Sequence, residues 1–111
     1  MLTTTSKSSV EPSRTIDSLK TVIETADHDT TKAKALNTLA GKFITSKPDT
    51  ALKLAKQALK LSNTLEYTKG QIASYHNIGY VNYVQSDYEQ ALSNWQKTLE
   101  LREQQGDKQG M

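Results

Sequence analysis

Chemistry that needs a thiol or an imidazole has few places to sit in this sequence, which has no cysteine and two histidines, His28 and His76. His28 lies in Asp27-His28-Asp29, a run that by residue type invites a metal ion or an acid–base pair. A metal site asks for more ligands at set spacing than this run offers. The run falls instead at a break in the apolar pattern, where Asp29 or Thr30 can cap a following helix. His76 stands with Tyr80 and Tyr83 at steps of four and three, one face of a helix. Tyrosine on such a face supplies contact area at low entropy cost, which suits recognition. All five tyrosines, Tyr67, Tyr75, Tyr80, Tyr83 and Tyr88, crowd one short stretch, marking it as better packed or as a binding unit. Lys53, Lys56 and Lys60 also share a helix face. With no aromatic or Gly-rich loop beside them they read as a solvated face, not a phosphate patch.

No catalytic group, cofactor or metal is expected, and the chain is read as a non-enzyme. The sequence lacks a Gly-rich phosphate loop, a nucleophile elbow, paired catalytic carboxylates and a helix with metal-ligand spacing. Glu66, Glu89, Glu100 and Glu103 fall on positions expected to be exposed or capping. Zero cysteine excludes a disulfide framework, a Cys-based zinc site and a thiol nucleophile. The 111 residues allow one domain. A net charge of +2 is too small to imply nucleic acid. No run approaches the roughly 18 apolar residues of a membrane span, so no membrane insertion is expected. The N-terminus lacks the apolar segment of a signal peptide. The compartment stays open: cytoplasm by default, periplasm if the segment comes from an exported sensor.

Those side chains need helices to hold them. Apolar residues are 35% of the chain, below the roughly 45–50% of a typical globular domain on a slightly wider count, so the core is thin. Residues 1–14 are Ser/Thr-rich without period and are expected to be a disordered tail. From there the apolar spacing is helical throughout. Ile16, Leu19, Val22, Ile23 and Ala26 mark a leading helix over 15–27. Ala33, Leu36, Leu39, Ala40, Phe43 and Ile44 mark a second helix. The third has Ala51, Leu52, Ala55, Ala58 and Leu59. The fourth has Ile72, Tyr75, Ile78 and Val81, and the fifth has Tyr88, Ala91, Leu92, Trp95 and Leu99. No segment alternates with period two, so the class is all-α with about five helices. Ser46 to Asp49 and Ser86 to Glu89 have capping-box spacing, and Pro48 suits a first helical position. Gly70 and Gly106 stand where a helix often stops.

The punctuation repeats. Ser46 and Ser86, Ala51-Leu52 and Ala91-Leu92, Leu59 and Leu99, Leu61 and Leu101 are each 40 residues apart. In the preceding helix the offset is 39, pairing Leu39-Ala40 with Ile78-Gly79. A helix pair recurring at about 40 residues is the sign of an α-solenoid. Small residues at Ala40, Gly79, Ala51 and Ala91 then mark close helix approach. Leucine at Gly79 is expected to unfold the second hairpin.

The motif resembles the tetratricopeptide repeat (TPR), whose pattern is W-x2-L-G-x2-Y followed by A-x3-F. The second unit reads Tyr75-x2-Ile78-Gly79-x2-Asn82, then Ala91-x3-Trp95, with Asp87-Tyr88 at the turn. The first reads Leu36-x2-Leu39-Ala40-x2-Phe43, then Ala51-x3-Ala55. It departs from the family where Asn82 replaces an aromatic, where Ala55 replaces a large residue, and in its longer period. It is similar to the longer variant, most closely to the N-terminal sensor region of bacterial TPR-containing histidine kinases.

The resemblance implies two hairpins, 30–66 and 68–105, after the leading helix. It implies a groove lined by the first helix of each, which takes a protein or peptide. On that basis Asn37, Ile44, His76, Tyr80 and Tyr83 are the candidate groove, with Gly41 on the same face. Leu39, Ala40, Ala51, Tyr75, Gly79, Tyr88, Ala91 and Trp95 are the structural signature. Asn37 and Asn77 are similar to asparagines that hold peptide backbone in some TPR grooves, but the basic carboxylate clamp is not evident. Residues 106–111 resemble the lead-in to a further repeat, so the chain is expected to be part of a longer array. With no helix after the fifth, the face carrying Leu92, Trp95 and Leu99 is expected to stay partly uncovered and to pair with a second copy. The implied function is a non-enzymatic scaffold for protein binding. The alternative is the sensory input of a bacterial kinase or transcription regulator.

Overall fold

Turns of three or four residues join the helices, so each doubles back on the one before it. A computed structural model describes the backbone of residues 12–110 and the side chains of residues 15–106. It contains α1 (Pro12–Thr25), α2 (Thr30–Phe43), α3 (Pro48–Thr64), α4 (Thr68–Val84) and α5 (Tyr88–Gly110), with no strand among the described residues. Each helix packs on the next, and α2 also touches α4. That second contact makes the arrangement a stack of helical hairpins, α2–α3 followed by α4–α5, with α1 laid against α2. The fold is all-α, as the periodicity requires.

The helix ends explain where the sequence reading needs correction. Of the two expected caps of α2, Asp29 and Thr30, Asp29 takes the position: its Oδ1 accepts from the backbone N–H of Thr31 at 3.0 Å and of Lys32 at 3.3 Å. The two capping boxes do not form. At α3 the cap position is Lys47, which makes no side-chain bond, with Pro48 behind it in the first turn. Ser46 therefore lies one residue too early. At α5 the cap is Asp87, whose Oδ1 accepts from Gln90 N–H at 3.4 Å. Ser86 is taken up in ending α4, with φ of 64°. There Asp87 N–H reaches Asn82 O at 2.8 Å and Ser86 N–H reaches Tyr83 O at 3.0 Å, closing the last carbonyls of α4. Glu66, with φ of 52°, ends α3 in the same way.

So two non-glycine residues take the left-handed position, and the glycines do other work. Gly70 lies in the first turn of α4, where an added Cβ would overlap Ser62 Oγ and come within 2.6 Å of the Tyr67 ring. It lets α4 approach α3. Gly106 does not stop α5, which runs on to Gly110. The second hairpin therefore extends past 105, and residues 106–110 continue its helix. The leading helix spans 12–25 instead of 15–27. Of the expected tail, 12–14 are helical, while 1–11 lie outside the described residues, as does Met111.

The interior is two small clusters in series, as a solenoid requires. Ala33, Leu36, Ala58 and Leu61 form the first, with Ile23 of α1 against them. Ala40, Ala55 and Ile78 form the second, flanked by Leu52 and Leu59. Alanine at 40 and 55 leaves the space that Ile78 of α4 enters. Between α2 and α4 the seam is polar. Asn37 Nδ2 donates to Gly70 O at 3.2 Å and to Ser74 Oγ at 3.0 Å. Asn77 Nδ2 donates to Asn37 O at 3.0 Å and to Asn37 Oδ1 at 3.2 Å. These groups are buried, so the network fixes the register of the two helices, since a slip would leave each of them unpaired.

Candidate functional site

The second hairpin is built like the first but ends in a different surface. On α4, residues 76, 80 and 83 share a face. On α5, residues 88, 92, 95 and 99 step by four, three and four. The short turn brings the two stripes together. Gly79 leaves a bare patch of α4 backbone, and the Trp95 indole lies on it: a Cβ at 79 would overlap Trp95 Nε1 and stand 2.6 Å from Cδ1. Trp95 Nε1 donates to His76 O at 3.3 Å, which holds the ring in place.

Around that indole the aromatics form a chain. His76 meets Tyr80 edge-on with centroids 5.1 Å apart. Tyr80 meets Trp95 at 5.5 Å, also edge-on. Trp95 meets Tyr83 at 6.0 Å, and Tyr83 meets Tyr88 at 5.5 Å. These are the spacings at which ring edges and faces attract. Despite this, Tyr80, Tyr83, Val84, Tyr88, Leu92 and Leu99 remain exposed, between 39% and 67%. They are the exposed large hydrophobics of the described residues, and all lie on α4 and α5.

Of the expected groove residues, His76, Tyr80 and Tyr83 come together on this surface. Asn37 meets His76 in a separate shallow cleft of about 370 Å³ between α2 and α4, which Asn77 also lines. It is 6% exposed and its amide is engaged in the α2–α4 seam, so only its edge faces that cleft. Asn77 is used likewise. Ile44 is half-buried at the C-terminal cap of α2. Among the signature residues, Leu39, Ala40, Ala51, Gly79 and Ala91 are buried, and Tyr75 and Trp95 are half-buried. Tyr88 is 59% exposed, its ring tilted against Tyr83 instead of inserted in a core. Val84 was not singled out by its spacing; only its place beside Tyr80 and Tyr83 at the end of α4 makes it part of the surface.

The other candidates stay apart. Lys53, Lys56 and Lys60 are exposed, as are Asp27 and His28. Among the described residues no three His, Asp or Glu side chains gather as metal ligands would. A cleft of about 520 Å³ between α1, α2 and α3 has Ile23, Leu36 and Leu61 as its apolar lining, with His28, Lys32 and Lys60 at its polar side. No helix of the described residues is long and apolar enough to cross a membrane.

The fold thus defines an all-α protein of stacked helical hairpins whose last hairpin carries an open aromatic and leucine surface. Compared with known proteins, the chain matches no family model, no curated protein and no solved structure.

Proposed function

We propose that the chain is a non-enzymatic interaction module of the tetratricopeptide-repeat kind, engaging a protein or peptide through the surface of α4 and α5. The observation that carries this reading is the grouping of the exposed large hydrophobics on one hairpin. Apolar side chains scattered singly over a surface need no explanation, but a contiguous set marks an interaction site. Its composition agrees: Tyr and Trp are the residues that dominate binding energy at interfaces. The stacked hairpins and the 39- and 40-residue offsets support the repeat reading.

Site-directed photocrosslinking tests it in cells producing the full chain. A benzophenone side chain placed at Leu92 should yield a discrete protein adduct, whereas one at Lys53 on the lysine face should not. Tyr80→Ser with Tyr83→Ser should abolish the Leu92 adduct. Equal adducts from both positions, or none from either, would refute the assignment.

A further inference from the structure

The cleft between α1, α2 and α3 recurs one repeat later between α3, α4 and α5, and the two differ in what fills them. Lys60 and Leu61 line the first, and Glu100 and Leu101, 40 residues on, line the second. Lys32 and Leu36 of the first correspond at 39 residues to Gln71 and Tyr75 of the second, and Ile23 corresponds at 40 to Asn63. The first cleft measures about 520 Å³ and the second about 200 Å³.

The side chains account for the difference. In the second cleft the larger Tyr75 ring stands where the first has Leu36. Gln71 Nε2 donates to Asn63 Oδ1 at 2.9 Å there, which ties α4 to α3 across the cleft. At the same two places the first cleft has Lys32 and Ile23, a pair with no hydrogen bond to make. Charge differs as well. The second cleft has one basic and one acidic side chain, Lys97 and Glu100. The first has Lys32, Lys60 and His28, and among the described residues no carboxylate lines it. The carboxylates near it in sequence are placed elsewhere. Asp29 Oδ1 accepts from the N–H groups of Thr31 and Lys32, Glu24 lines a separate cleft with Lys20 and Lys47, and Asp27 is exposed.

We propose that the α1–α2–α3 cleft binds a small amphipathic monocarboxylate of the medium-chain fatty acid class. Its chain lies on the apolar floor of Ile23, Leu36 and Leu61, and its carboxylate lies between Lys32 and Lys60 with His28 beside them. The volume falls within the roughly 300–1,000 Å³ of small-molecule sites. Burial of the chain supplies most of the affinity, and the cations fix its orientation. A single negative charge suits the cleft better than a phosphate does. The first N–H groups of α2 are already engaged by Asp29, and no arginine lines the cleft. This site stands apart from the α4–α5 surface and does not depend on what that surface binds.

The test is a titration of the full chain with octanoate, followed in nitrogen–proton correlation spectra. Octanoate should shift the amides of Ile23, His28, Lys32 and Leu61 saturably. Acetate, with the charge and no chain, should shift none of them. Octanol, with the chain and no charge, should bind about tenfold more weakly than octanoate. Lys32→Gln with Lys60→Glu installs the side chains of the second cleft; it should weaken octanoate about tenfold and leave octanol unchanged. Lys60 is exposed and Lys32 half-buried, so the double variant should keep the wild-type circular dichroism spectrum. Lys60→Glu alone should weaken octanoate about threefold, and it decides the matter if the double variant unfolds. Equal affinity for octanoate and octanol, unchanged by either variant, would overturn the carboxylate ligand. Octyl phosphate binding more tightly than octanoate would overturn it in favour of a phosphate. Shifts confined to α4 and α5, or no shifts, would overturn the site.

Discussion

Replacing Gly79 by alanine should destabilise this protein even though alanine is the better helix former. In an unobstructed helix the change would stabilise by about 0.5–1 kcal/mol. Here the new methyl needs space that the Trp95 indole occupies. Displacing the ring loses its hydrogen bond to His76 O, about 1 kcal/mol. It also disturbs the packing on Tyr80 and Tyr83, roughly 0.5–1.5 kcal/mol for each pair and at the low end for rings this exposed. Lifting the indole off the helix adds about 1 kcal/mol of re-exposed apolar area. The net loss is about 2–2.5 kcal/mol, which lowers Tm by roughly 8–20 °C in a domain of this size. Thermal denaturation by circular dichroism measures it, and Trp95 emission should shift to the red as the ring gains water. The decisive control is the same substitution in a Trp95→Ala background. With the indole gone, Gly79→Ala should raise Tm by a few degrees, since only the helix propensity remains. The same sign of change in both backgrounds would refute the reasoning.

Other perturbations test the packing beneath that surface. Asn37→Ala removes the shared partner of Gly70 O, Ser74 and Asn77, all buried, and should cost about 2–4 kcal/mol in a urea titration. Ser62 Oγ is buried with no hydrogen-bond partner among the described residues, so Ser62→Ala should raise stability by about 1 kcal/mol; a lower Tm would count against an unpaired hydroxyl there. Ser86→Gly should stabilise by up to about 1 kcal/mol, because glycine takes a φ of 64° without the steric cost a side chain meets. The same change at Ser46, which has no such backbone, should show no gain in the same melt.

Much of the local structure was legible in the residues. Helical spacing alone located five helices, and the break in the pattern narrowed the cap of α2 to Asp29 or Thr30. Both signals are local: a 3.6-residue period and a carboxylate within reach of the next two or three N–H groups. Where the reading failed, two neighbouring signals competed for one turn. Ser46 and Ser86 had the spacing of capping boxes, yet each lies one residue outside its cap. At Ser86 the reason is visible, since the preceding helix uses that residue to close its own end. Gly70 read as a helix stop because glycine does both jobs, ending helices and letting them touch. Only the neighbouring Ser62 and Tyr67 tell which job applies here.

The sequence by itself determined the class of fold, the helix count, the near-40-residue repeat and the aromatic composition of the second hairpin, because each follows from residue type and spacing along one chain. The tertiary structure alone decided which repeat-equivalent residues are covered. Asn37 and His76 occupy corresponding places, as do Leu59 and Leu99, but α4 lies over the first of each pair and no helix of the described residues lies over the second. Burial is a property of what packs against a residue, so two equivalent positions in a repeat become a core seam in one hairpin and an open surface in the next.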